Sequence, residues 1–273
     1  MSYRRIPIRA GRWGYRGTDA LFHVTIGEDT PVLTAFDLTY SNGDHHVQTL
    51  IAGGKTGDPN SFLLGLGDGD NGILGNERDP VDLKAIYYAI SAPHLTPGSE
   101  RSISGFSLNR QNSTVTISRL AEDEIFVLRG FEFQGTPGRN HHLRKVGVRY
   151  NSIRSEIRID FLDNSPQDDR YTYTIRYFVL KRWCDRNWLC LRGIYSQTFE
   201  FINSASILKS NRGNALLAGF NFEFMDDDHH LRRIAVNVQP MNEIVVAFTD
   251  SEANHRVKAR IDYVVLDWSD AYR

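Results

Sequence analysis

Asp44-His45-His46-Val47-Gln48-Thr49-Leu50 returns as Asn140-His141-His142-Leu143-Arg144-Lys145-Val146, and again as Asp228-His229-His230-Leu231-Arg232-Arg233-Ile234. Each copy follows an apolar segment: Ala35-Phe36-Asp37-Leu38, Gly130-Phe131-Glu132-Phe133 and Gly219-Phe220-Asn221-Phe222. The histidine pairs stand 96 and 88 residues apart in a chain of 273. Self-similarity at a nearly fixed period is the signature of one structural unit written several times.

Around the copies the residues alternate. Glu156 to Phe161, Tyr171 to Val179 and Arg256 to Val265 put apolar side chains on one side and charged or hydroxyl groups on the other. That period of two belongs to half-buried antiparallel strands, and no helical period of comparable length competes with it. After each histidine pair comes an apolar strand ending in Leu66-Gly67-Asp68, Phe161-Leu162-Asp163 or Phe248-Thr249-Asp250. A variable loop and a closing strand follow, the latter at 83–90, 173–180 and 259–266. A further strand pair precedes each aromatic segment, at Leu21 to Ile26, Thr114 to Leu120 and Phe199 to Leu208. The class is all-β. About six strands per unit suffice for a small sandwich. The pattern predicts three tandem antiparallel β-sandwich repeats, at 1–92, 98–181 and 190–273. Packing about a pseudo-threefold axis would cover their exposed edges. One closed body with threefold internal symmetry is the alternative.

The 41% hydrophobic and 24% charged fractions are those of a globular protein, and the net charge of −1 offers no global field to nucleic acid. No apolar stretch approaches the roughly 20 residues that cross a bilayer, so no membrane insertion is expected. Met1 to Pro7 lacks the apolar centre of a secretory signal. The expectation is cytoplasmic synthesis without a signal peptide, with release as part of a particle left open. Arg4, Arg5, Arg9, Arg12 and Arg16 precede the first acidic residue, Asp19, and read as a solvated edge or a docking arm. Cys184 and Cys190 are too few for a structural zinc site and closely spaced for a disulfide, so reduced thiols beside Trp183 and Trp188 are expected.

If the aromatic strand and the three after it form a meander, the His-His turn and the connection after the second aspartate fall at one end. The candidate ligand-binding residues are then Asp44, His45, His46, Asp68 and Asp70; Asn140, His141, His142 and Asp163; and Asp228, His229, His230 and Asp250. Histidine with carboxylate suits zinc. Asp68-Gly69-Asp70-Asn71-Gly72 has the opening of a calcium loop but not its later glutamate. Aspartate, amide and histidine also hold sugar hydroxyls, and they equally make hydrogen-bonded corners. A divalent metal, calcium or zinc, is therefore one of three open readings. Neighbours on a strand face opposite sides, so a metal would draw one histidine from each unit at a common axis. Phe131, Phe133, Phe220 and Phe222 read as core, and Arg144/Lys145 and Arg232/Arg233 as a solvated face. No nucleophile elbow, phosphate-binding loop or His-Glu-x-x-His helix is present, so no enzymatic activity is expected.

The strand count and the closing aromatic strands, with Tyr88-Ala89, Tyr177-Phe178 and Tyr263-Val264, resemble the H-type lectin family. That family's usual Trp-Ala is absent here, and no binding residue is carried over. The resemblance implies six-stranded sandwiches that associate in threes and bind sugars such as N-acetylgalactosamine; here the trimer would be written as one polypeptide. It implies lectin-like recognition of a glycan or cell-surface ligand, in a setting such as a phage-tail-like particle. The alternative is a structural cap or adaptor that contacts other subunits of a larger symmetric assembly.

Overall fold

The computed structural model describes residues 4–10, 22–25, 30–41, 45–55, 58–68, 81–90, 100–136, 142–163, 169–181, 189–211, 213–227, 229–238, 242–251 and 254–268. The first third of the chain holds β1 (Arg4–Ala10), β2 (Phe22–Thr25), β3 (Thr30–Tyr40), β4 (Val47–Lys55), β5 (Asp58–Asp68) and β6 (Val81–Ile90). The second holds β7 (Glu100–Leu108), β8 (Ser113–Thr116), β9 (Glu124–Gly135), β10 (Leu143–Asn151), β11 (Glu156–Asp163) and β12 (Arg170–Lys181). The third holds β13 (Leu189–Ile202), β14 (Ser204–Leu208), β15 (Asn214–Phe224), β16 (Leu231–Asn237), β17 (Glu243–Asp250) and β18 (Arg256–Trp268). Among the described residues there is no helix, and none therefore that could cross a membrane.

The strands form three antiparallel sheets of six. Their orders are β1-β6-β3-β16-β17-β14, β7-β12-β9-β4-β5-β2 and β13-β18-β15-β10-β11-β8. Each third gives its first, sixth and third strands to one sheet, and its fourth, fifth and second to another. The ladders β3–β16, β9–β4 and β15–β10 join one third to the next. The aromatic strand is therefore not followed by its own ladder partner, as a meander requires. It pairs with the closing strand, while the strand after the histidines pairs with the next one along. Alternation in a sequence fixes which face a residue takes, not which strand lies beside it.

Local irregularities recur at equivalent places. The aromatic strands slip register against their closing strands between Leu33 and Ala35, at Leu128/Gly130, and between Leu217 and Gly219. The strands after the histidines slip between Val47 and Thr49, Leu143 and Lys145, and Leu231 and Arg233. Each bulge sets one extra residue against the partner strand and sharpens the twist, bending the strand around the core. That core is shared: one apolar cluster takes buried residues from all three thirds. At its centre the rings of Phe36, Phe131 and Phe220 meet with centroids 5.1, 5.2 and 4.9 Å apart.

Arg4–Ala10 forms an edge strand against β6. The run Phe199 to Leu208 divides at Asn203, whose φ of 59° turns the chain from one sheet to another. Strand Ser113–Thr116 stops short of Leu120. The boundaries expected near 92–98 and 182–192 fall largely outside the described residues, as do Trp183, Cys184 and Trp188.

Candidate functional site

The histidine pairs precede β4, β10 and β16, and the second aspartates end β5, β11 and β17, the ladder partners of those strands. Pairing of Val47 with Asp68, Leu143 with Asp163 and Leu231 with Asp250 puts histidines and carboxylates at one end. His45 Nδ1 lies 2.8 Å from Asp68 Oδ2, and the His46 N–H donates to Asp68 Oδ1 at 3.2 Å. Tyr40 stacks on the buried His45 ring at a centroid distance of 3.9 Å. In the third unit His229 Nδ1 lies 2.8 Å from Asp250 Oδ2, and Phe224 takes the place of Tyr40, edge-on at 4.4 Å. In the second, Asp163 accepts a hydrogen bond from the side-chain amide of Asn109. The described rim carboxylates thus bind groups of the fold itself. Asp44, Asp70, Asn140, His141 and Asp228 lie outside the described residues.

Two residues without a repeat signal join the third corner. Asp226 Oδ1 is 3.1 Å from His229 Nε2, and Asp226 Oδ2 is 2.8 Å from His255 Nδ1. His255 Nε2 in turn lies 3.2 Å from Asp250 Oδ2. The hydrogen bond from His255 holds the Asp226 carboxyl below the usual carboxylate range; partial burial opposes this and the His229 bond adds to it. Sequence reasoning missed both because neither recurs. The acidic run Asp226-Asp227-Asp228 was the available signal.

The second histidine of each pair turns the other way. His46, His142 and His230 converge from the three thirds, with Nε2 atoms 2.9, 3.0 and 3.2 Å apart. The paired backbone bonds between Leu143 and His229, at 2.9 and 3.3 Å, draw two of these turns together. Two donor sets therefore have metal-binding dimensions among the described residues: His46/His142/His230 and Asp226/His229/His255.

Polar grooves lie where thirds adjoin. One of about 480 Å³ crosses from the β10–β11 turn to β13 and β18, lined by Arg149, Arg154, Arg158, Arg260, Asn151 and Ser196 among others. Arg158 Nε donates to the buried Asp160 and Arg260 Nε to the buried Asp262, at 3.1 and 3.0 Å, while Arg260 Nη2 reaches Ser196. Arg149 Nε is buried with no hydrogen-bond partner among the described residues. Burial lowers the Arg149 pKa; Asp160 opposes this, and repulsion from Arg158 and Arg260 adds to it. A second groove of about 420 Å³ joins Thr39 of the first third to Arg232, Arg233, Thr249, Asp250 and Ser251 of the last. The basic pairs expected on a solvated face are in part junction ties. Arg233 grips Asp37 through two bonds of 3.0 and 2.8 Å, and Lys145 holds Glu223 at 2.7 Å. No protein-family model matches the chain, and no curated protein matches its sequence.

Proposed function

We propose that this chain is a non-enzymatic surface-recognition protein that binds a glycan in grooves between three similar sandwich units set about a pseudo-threefold axis. The recurring strand order, the recurring bulges and the near-equilateral triangles of phenylalanines and histidines support the repeated arrangement. The single observation that carries recognition is the arginine-lined groove. Sugar hydroxyls need directional donors and acceptors, and a volume of about 480 Å³ is within the range of small-molecule sites. Four guanidiniums outnumber the carboxylates of Glu156, Asp160 and Asp262 around it, so an acidic sugar is favoured. Arginine forks match a carboxylate or sulfate in bidentate geometry. Ile153, 94% exposed at the groove's edge, offers an apolar contact for a sugar ring face.

A glycan array carrying neutral and acidic structures tests this reading. Binding to acidic glycans that weakens with salt is the expected result; a blank array sinks the proposal. The rival, a cap or adaptor in a larger symmetric assembly, draws support from Leu208 and Val245, exposed together near a sheet edge. A blank array combined with co-purification of a symmetric particle would select it.

A further inference from the structure

We infer that His46, His142 and His230 form a binding site for one divalent first-row transition-metal ion, shared by the three thirds of the chain. The argument begins with the contact itself. Three imidazole nitrogens approach one another at 2.9, 3.0 and 3.2 Å. An imidazole nitrogen is either an N–H donor or a lone-pair acceptor, never both. Around a closed triangle at least one edge must then join two donors or two acceptors, which repel. A cation that takes all three lone pairs removes the conflict.

The dimensions agree. An ion about 2.1 Å from each nitrogen would sit roughly 1.2 Å off their plane, with nitrogen–metal–nitrogen angles near ~90°. Widening each edge to about 3.4 Å would give tetrahedral angles. Either way three nitrogens leave coordination positions on the ion for water or another ligand. The ring centroids stand 4.7, 4.5 and 4.3 Å apart, farther than the nitrogens, so the rings diverge from the Nε2 atoms, with His46 and His142 stacked and His230 edge-on to both. Imidazole-only ligation suits zinc, nickel, cobalt or ferrous iron and excludes calcium, which takes oxygen ligands. The neighbouring histidines His45 and His229 point to Asp68 and Asp250 instead. In the pairs His45/His46 and His229/His230, opposite facing thus gives the first histidine to the corner and the second to the ion.

Such an ion would join residues separated by 96 and 184 positions and would act as a clamp on the unit junctions. The inference stands whether or not a glycan binds. Calorimetric titration of Zn²⁺ into tag-free, EDTA-stripped protein should give one tight site per chain. His142→Gln should weaken it at least about 100-fold, beyond the loss seen when outer partners of metal ligands are removed. His255→Gln, which disables the Asp226/His229/His255 set, should leave it unchanged. The unmodified protein supplies a readout that needs no variant: one equivalent of Co²⁺ should give visible d–d absorption that Zn²⁺ abolishes. Absence of binding, unchanged affinity in His142→Gln, loss in His255→Gln alone, or a silent Co²⁺ spectrum would each overturn the inference.

Discussion

Gly53 has a φ of 128°, and a Cβ there would lie 2.2 Å from Gly130 Cα on the facing strand of another third. Both the dihedral and the approach require glycine. Gly53→Ala should therefore destabilise the protein by about 3 kcal/mol or more in denaturant titration. Gly65→Ala, whose Cβ would meet only the Ile51 side chain at 3.3 Å, should cost far less. Equal losses would contradict this account of the junction. The need for glycine at Gly53 was not legible in the sequence, because the strand that imposes it is distant along the chain. The opposite facing of His45 and His46 was legible from alternation alone. Which of them turns to the carboxylate was not, since that depends on the strand that Asp68 ends.

Strand faces were readable from composition: Phe131, Phe133, Phe220 and Phe222 are buried as their spacing implies. Strand partners were not. Nothing in the alternation of β3 shows that it lies between its own closing strand and β16 of the last third. The basic pairs looked solvated for the same reason, because Asp37 and Glu223 reach them only across a junction. The junction's stability should come mainly from its apolar centre. Phe131→Ala should cost about 3–5 kcal/mol, since it opens a cavity against Phe36 and Phe220. Asp37→Asn, breaking a half-exposed ion pair with Arg233, should cost under about 1 kcal/mol. Urea unfolding of the two variants compares them directly; a larger loss for Asp37→Asn would show that charge holds the junction.

The whole molecule interleaves its thirds: each sheet is half one third and half another, and the main apolar cluster crosses all of them. The all-β class was visible in the sequence as alternation. The sharing of sheets was not, because a unit long enough for a sandwich looks able to bury its own core. A fragment of residues 98–181 should leave β9 and β10 each without one of their two ladder partners, β4 and β15. Light scattering should find it associated in threes or unfolded, and a stable folded monomer would contradict the interleaving. Recognition in the groove between thirds is the claim that joins these scales. Its most direct test is calorimetric titration of an acidic glycan, chosen from the array, into the intact protein and into Arg154→Ala. Arg154 lines that groove from an exposed turn. The account predicts binding to the intact protein and a loss of about tenfold or more in the variant, equivalent to ~1.4 kcal/mol. Equal affinity in both would place the ligand elsewhere and contradict it.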